Sequence, residues 1–124
     1  MAEETAPPML IITCTLGLDA EDAMLNRPVL VLRPPEVADM LPLLAARHTP
    51  TLAAILATDG PPRRALGIRS ILALRSELQT ILHGIAARQL PDQLVLALTL
   101  QRLDIACATA QDLGLNLYVS VDQE

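Results

Sequence analysis

Few residues in this chain are of a type that does chemistry, and their spacing limits what they can do together. There are two histidines, His48 and His83, and two cysteines, Cys14 and Cys107. Neither pair has the close spacing of a zinc or redox motif, so no metal centre is expected. Both cysteines sit in apolar runs and read as small buried hydrophobes. Nucleophilic catalysis needs a nucleophile and a base within hydrogen-bond reach. Ser76 and His83 share a helix face, but their spacing puts them about two turns, roughly 10 Å, apart. They read as a solvated face, and His48, just before Thr49-Pro50, reads as a structural loop histidine.

The carboxylates are no more suggestive. Asp19, Glu21 and Asp22 cluster in a connection, but a calcium loop fails there because Ala23 and Met24 hold its fifth and sixth positions. Glu36 and Asp39 lie one helical turn apart and suit a helix N-terminus, where negative charge is favoured. All nine basic residues are arginine, which removes Schiff-base chemistry and any P-loop lysine. One local candidate remains, Asp59-Gly60-Pro61-Pro62-Arg63-Arg64. Two arginines in the first turn of a helix, behind a glycine–proline break, could hold an anion against that helix N-terminus. Gly60, Arg63 and Arg64 are therefore a candidate anion site, although no phosphate-loop pattern accompanies them.

These groups must be positioned by a chain of 124 residues, one domain by size and long enough to bury a core without a staple. Residues 1–8 read as a flexible leader and 9–124 as the domain. Apolar residues make up 52%, almost all aliphatic, with no Phe or Trp and a single Tyr118. Aromatic platforms for stacking bases or sugars are thereby nearly excluded. The lysine-free, arginine- and alanine-rich composition suggests a GC-rich coding sequence and a bacterial source. An acidic N-terminus in place of a basic signal region, and no apolar run near the ~20 residues that span a bilayer, suggest a soluble cytoplasmic protein without a membrane partner. Net charge is −5, which makes nucleic acid an unlikely partner. The charge is uneven: residues 1–60 carry three Arg against eight acids, and 61–111 six Arg against three. The basic half suits an acidic surface, either the N-terminal part of the chain or an acidic protein partner.

Residues 9–16 form a β-branched run with Leu10, Ile12, Cys14 and Leu16 on one face, apolar enough to lie inside a sheet. The connection that follows has room for a helical turn. Residues 28–33 predict a second strand, fenced by prolines and so placed near an edge. Pro35 opens a helix that Pro42 must kink or break near Leu41. Thr49-Pro50 and Asp59-Gly60 bracket a short helix over 50–58. Residues 115–121 alternate strictly, Leu115, Leu117, Val119 and Val121 against Asn116, Tyr118 and Ser120, and give the clearest strand in the chain.

The largest element is a helical hairpin over about 62–113, joined at Gln89-Leu90-Pro91. Its first helix has an aliphatic stripe of Ile71, Leu74, Leu78, Ile81 and Ile85, widened by Ala65, Ile68 and Leu72. Its second, capped by Asp92 and stopped at Gly114, has one stripe of Leu96, Leu100, Leu103, Cys107 and Ala110 and another of Leu94, Leu98 and Ile105. Residues 94–100 also alternate as a strand would, but their neighbours and length favour helix. A helix apolar on nearly all sides needs cover on all sides.

The expected fold is α+β. A small sheet of two N-terminal strands and one C-terminal strand carries, on one face, the helical hairpin and two shorter helices. The expected function is a non-enzymatic interaction protein that self-associates, most simply as a dimer, through Leu94, Leu96, Leu98, Leu100 and Leu103, with no cofactor. The alternative is a small ligand-binding or regulatory domain, with Arg63, Arg64 and His48 on an anionic metabolite. Nucleic-acid binding through Arg64, Arg69, Arg75, Arg88 and Arg102 conflicts with the net charge and the missing aromatics.

Overall fold

The computed structural model describes residues 10–40, 49–56, 63–88 and 93–123. In chain order they hold β1 (Leu10–Gly17), α1 (Ala20–Leu25), β2 (Leu30–Leu32), α2 (Pro34–Met40), α3 (Pro50–Leu56), β3 (Arg63–Leu66), α4 (Ile68–Arg88), α5 (Leu94–Leu113) and β4 (Asn116–Gln123). The fold is α+β, but its sheet has four strands rather than the expected three. The order is β2-β1-β4-β3, and each neighbouring pair is antiparallel. The leader over 1–8, the kink near Leu41 and the join at Gln89-Leu90-Pro91 lie outside the described residues.

The period-two pattern of β1 and β4 decides which face is covered. Leu10, Ile12, Cys14 and Leu16 are buried, as are Leu117 and Val119 across from them. Leu30 and Leu32 of β2 and Leu66 of β3 complete that face. Over it pack Ile71, Leu74, Leu78 and Ile81 of α4, and Leu96, Leu100, Leu103, Cys107 and Ala110 of α5. The Ile71 stripe of α4 and the Leu96 stripe of α5 are thus the inner sides of the hairpin. α2 and α3 add Val37, Met40, Leu52, Ile55 and Leu56 to the same core. The opposite sheet face, with Thr13, Thr15, Tyr118 and Ser120, is only half-buried.

β3 takes up residues that the sequence pattern predicts as the start of the first hairpin helix. Arg63-Arg64-Ala65-Leu66 has neither β-branched residues nor alternating hydrophobicity, so no local pattern marks it. Pairing decides it instead: Arg63 stands against Ser120 and Leu66 against Leu117 on the outer edge of β4. The helix begins only after Gly67, at Ile68, so Ala65 belongs to the strand and not to the helix stripe.

The caps show where local signals suffice and where tertiary structure replaces them. Asp19 caps α1 by accepting from Asp22 N at 2.8 Å, and Asp22 in turn accepts from Leu18 N at 2.8 Å. At α2 the Glu36 carboxylate reaches back to Arg33 N, 3.2 Å, the second half of a capping box. Gly114 ends α5 at φ 66°. Its N–H bonds Gln111 O and the Leu115 N–H bonds Ala110 O, the paired contacts of a Schellman motif. The cap expected from Thr49 does not form, and its buried Oγ1 has no partner. Glu77 of α4 takes its place, accepting from Thr51 N at 3.1 Å and Leu52 N at 3.0 Å. At α5 the cap position falls on Gln93, with no side-chain bond; Asp92 lies outside the described residues.

One helix departs from the expected single-sided arrangement. α1 lies on the open face of the sheet, where a Cβ on Gly17 would stand 2.5 Å from Ala23 N and 2.7 Å from Ala23 Cα. Backbone against backbone cannot yield as a flexible side chain can, so glycine is required for α1 to seat. Gly17→Ala is expected to destabilise the protein by about 1–3 kcal/mol in urea unfolding. Gly67→Ala meets nothing within 4 Å and is expected to stay within about 0.5 kcal/mol of the parent.

Candidate functional site

α5 is apolar on two opposite sides. The inner side is buried, while Leu94, Val95, Leu98 and Ile105 are exposed by 60, 61, 51 and 62%. At about 100° per residue, Leu94, Leu98 and Ile105 fall within roughly 40° of one another. They form a stripe diametrically across the helix from Leu103 and Ala110. Single exposed aliphatics are ordinary on a protein surface, whereas several on one helix face mark a candidate contact face; here the exposed Gln101 separates Leu98 from Ile105. Beside Ile105 the surface dips into a hollow of about 180 Å³ lined by Val29, Leu30, Arg102, Ala106 and Thr109.

The five leucine positions expected at an interface are divided by the helix. Residues two apart point to nearly opposite sides, so Leu96, Leu100 and Leu103 bury into the chain's own core. Leu94 and Leu98 remain outside, joined by Val95 and Ile105. The sequence shows two apolar stripes on this helix, but only the packing of the sheet tells which one faces inward.

Polar contacts hold this face in place. Arg75 of α4 pairs through Nε with Asp104 Oδ1 of α5 at 3.1 Å, and its Nη1 donates to Gln111 Oε1 at 2.8 Å. Gln79 Nε2 donates to Asp104 Oδ2 at 2.9 Å. Next to the outer stripe, Arg102 Nη1 pairs with Glu36 Oε2 of α2 at 2.8 Å. At this point, the basic hairpin meets the acidic N-terminal part of its own chain.

Among the described residues, the two arginines of the candidate anion site do not converge. Arg63 and Arg64 are consecutive residues of a strand, so they point to opposite faces of the sheet. Arg64 turns to the helix side, where its Nη1 donates to Ile55 O at 2.6 Å. Arg63 is exposed on the open face, and the helix N-terminus the two were to share begins later, at Ile68. Gly60 and His48 lie outside the described residues. Ser76 and His83 both stand on the exposed side of α4.

Arg63 instead borders a cleft of about 310 Å³ on the open sheet face, with Thr13, Thr15, Tyr118, Ser120 and Asp122. Alternation in β1 and β4 already put those hydroxyls on one face. What the sequence lacked was the register of β3, which sets Arg63 beside Ser120. Among the described residues, no group of three or more His, Cys, Asp or Glu is arranged to hold a metal ion. No helix among them is long and apolar enough to cross a membrane. Compared with known protein families, curated proteins and solved structures, the chain shows no match.

Both thiols are free and buried. Burial, together with a smaller push from the neighbouring Cys107, raises Cys14 from 9.0 to about 12. Cys107 rises to about 12 through burial and the nearby Asp104 carboxylate, with Arg75 opposing. A group that holds its proton more tightly when folded stabilises the fold below its unfolded pKa. That contribution is therefore present below about pH 9 and is lost as pH rises from 9 towards 12. Native protein at pH 8 is expected to leave both thiols unlabelled by a maleimide, with both labelled in denaturant. Mass spectrometry of intact protein reads the difference.

Proposed function

We propose that this protein is a non-enzymatic interaction protein that associates with a second copy of itself through the outer face of α5. The observation that carries this reading is the stripe of Leu94, Leu98 and Ile105, with Val95 exposed beside it, opposite a side of the helix that is already buried. A two-fold axis crossing α5 between Leu98 and Gln101 sets Leu94 against the partner's Ile105 when two helices meet antiparallel, with Leu98 beside the partner's Gln101 at the centre. The stripe runs about 16 Å along the helix, and the hollow beside Ile105 extends the apolar area towards Val29 on the β2 side. Charge favours a copy of the chain over an acidic partner, since Arg102 beside the stripe is already held by Glu36. The anionic-metabolite reading is weaker, because Arg63 and Arg64 diverge across the sheet.

Multi-angle light scattering at micromolar concentration is expected to give twice the chain mass of 13.3 kDa. The double variant Leu98→Glu, Ile105→Glu places two carboxylates on the row and is expected to be a monomer with an unchanged circular dichroism spectrum. Wild-type protein that stays monomeric, or a folded double variant that stays dimeric, overturns the proposal.

A further inference from the structure

The cleft on the open sheet face changes character along the strands. At its Gly17 end, α1 rests on the sheet and supplies an apolar wall of Ala20, Ala23 and Met24. Next comes Tyr118, the only aromatic residue of the chain. Thr15 stands opposite it on β1 and the small Ala65 on β3. One row on, Thr13, Ser120 and Arg63 line up across β1, β4 and β3. Asp122 follows at the far end. From Tyr118 to Asp122 the strand advances about 13 Å, so the cleft runs from apolar, through hydroxyls, to a cation and a carboxylate.

The polar groups along this path are not satisfied by one another. Arg63 and Asp122 are diagonal neighbours on adjacent strands, yet the ion pairs among the described residues lie elsewhere, at Arg75–Asp104 and Arg102–Glu36. Helix hydroxyls bond back to carbonyls four residues earlier, as Thr80 does to Ser76 O and Thr109 to Ile105 O. Among the described residues, the hydroxyls of Thr13, Thr15, Tyr118 and Ser120 make no such bond to protein. A site whose cation and carboxylate have no ion-pair partner among the described residues selects against a simple anion, which Asp122 repels, and a simple cation, which Arg63 repels. It suits a ligand that carries both charges. The volume is at the small end for ligand clefts, which limits that ligand to a few atoms beyond its charged groups.

We infer that this cleft binds a free α-amino acid with an apolar side chain. Its carboxylate lies on Arg63, its ammonium group on Asp122, and its side chain against Tyr118 and the α1 wall. Arginine offers a planar fork that matches a carboxylate, and the strand hydroxyls bond the remaining polar atoms. The site is on the face of the sheet away from α5, so it is independent of the self-association proposed above.

Titration of L-leucine and L-phenylalanine into isotope-labelled full-length protein, followed by amide chemical shifts, tests this. Both are expected to shift the Tyr118, Ser120 and Asp122 amides saturably. N-acetyl-L-leucine, which lacks the ammonium, and L-leucine methyl ester, which lacks the carboxylate, are each expected to bind about tenfold more weakly or worse. Arg63→Gln and Asp122→Asn, both at exposed positions, are expected to cause a similar loss for free L-leucine while their other amide signals superpose on the parent's. Arg69→Gln, exposed on α4, is expected to bind as the parent does. The inference is overturned by no saturable shift at millimolar L-leucine, by equal binding of the blocked derivatives, or by shifts confined to residues outside the cleft.

Discussion

The antiparallel ladder between β1 and β4 is the interaction on which the rest of the structure depends. It runs without a break from Leu10 against Gln123 to Gly17 against Asn116, and so joins strands that nearly the whole chain separates. Closing so long a loop costs entropy that grows only slowly with length. The ladder brings Leu10, Ile12, Cys14, Leu16, Leu117 and Val119 onto one buried face. Each Leu, Ile or Val among them contributes about 1.5–3 kcal/mol when fully buried, which is how the closure is offset. β2 and β3 then add to the two free edges, and the hairpin packs back across the face the ladder has made apolar.

This arrangement sets the fate of α5. The sheet can cover only one side of the helix. Arg75, Gln79 and Asp104 then fix its rotation against α4, turning Leu96, Leu100, Leu103, Cys107 and Ala110 inward. The same rotation turns Leu94, Leu98 and Ile105 outward, and no other element among the described residues reaches over to bury them. Covering these aliphatics is the physical drive for the self-association we propose. The opposite sheet face, free of the hairpin, is left to α1 and to the hydroxyl-lined cleft.

Much of the fold was legible in local pattern. Strict alternation marked β4, the β-branched run marked β1 as an interior strand, and prolines marked β2 as an edge. Gly114 stopped α5 where a left-handed residue was needed. What local pattern did not carry was pairing between distant segments. β3 is a strand only because β4 offers it an edge, and misplacing it put Arg63 and Arg64 on a helix terminus they do not share. The N-cap of α3 belongs to Glu77, far along the chain, and not to the adjacent Thr49. The outer stripe of α5 was visible as a pattern, but choosing between two stripes required the sheet. The cleft was half visible: its hydroxyls followed from alternation, whereas Arg63 entered only through the β3 register.

The proposed dimer is defined by which residues touch across two copies. An isotope-filtered nuclear Overhauser experiment on a mixture of labelled and unlabelled protein reads those contacts without altering the chain. The expected result is a set of intermolecular cross-peaks between the methyl groups of Leu94 and Ile105, with Leu98 near the centre of the same network. Intermolecular cross-peaks confined to another face, or none at all in a sample concentrated well above the micromolar range, would contradict it.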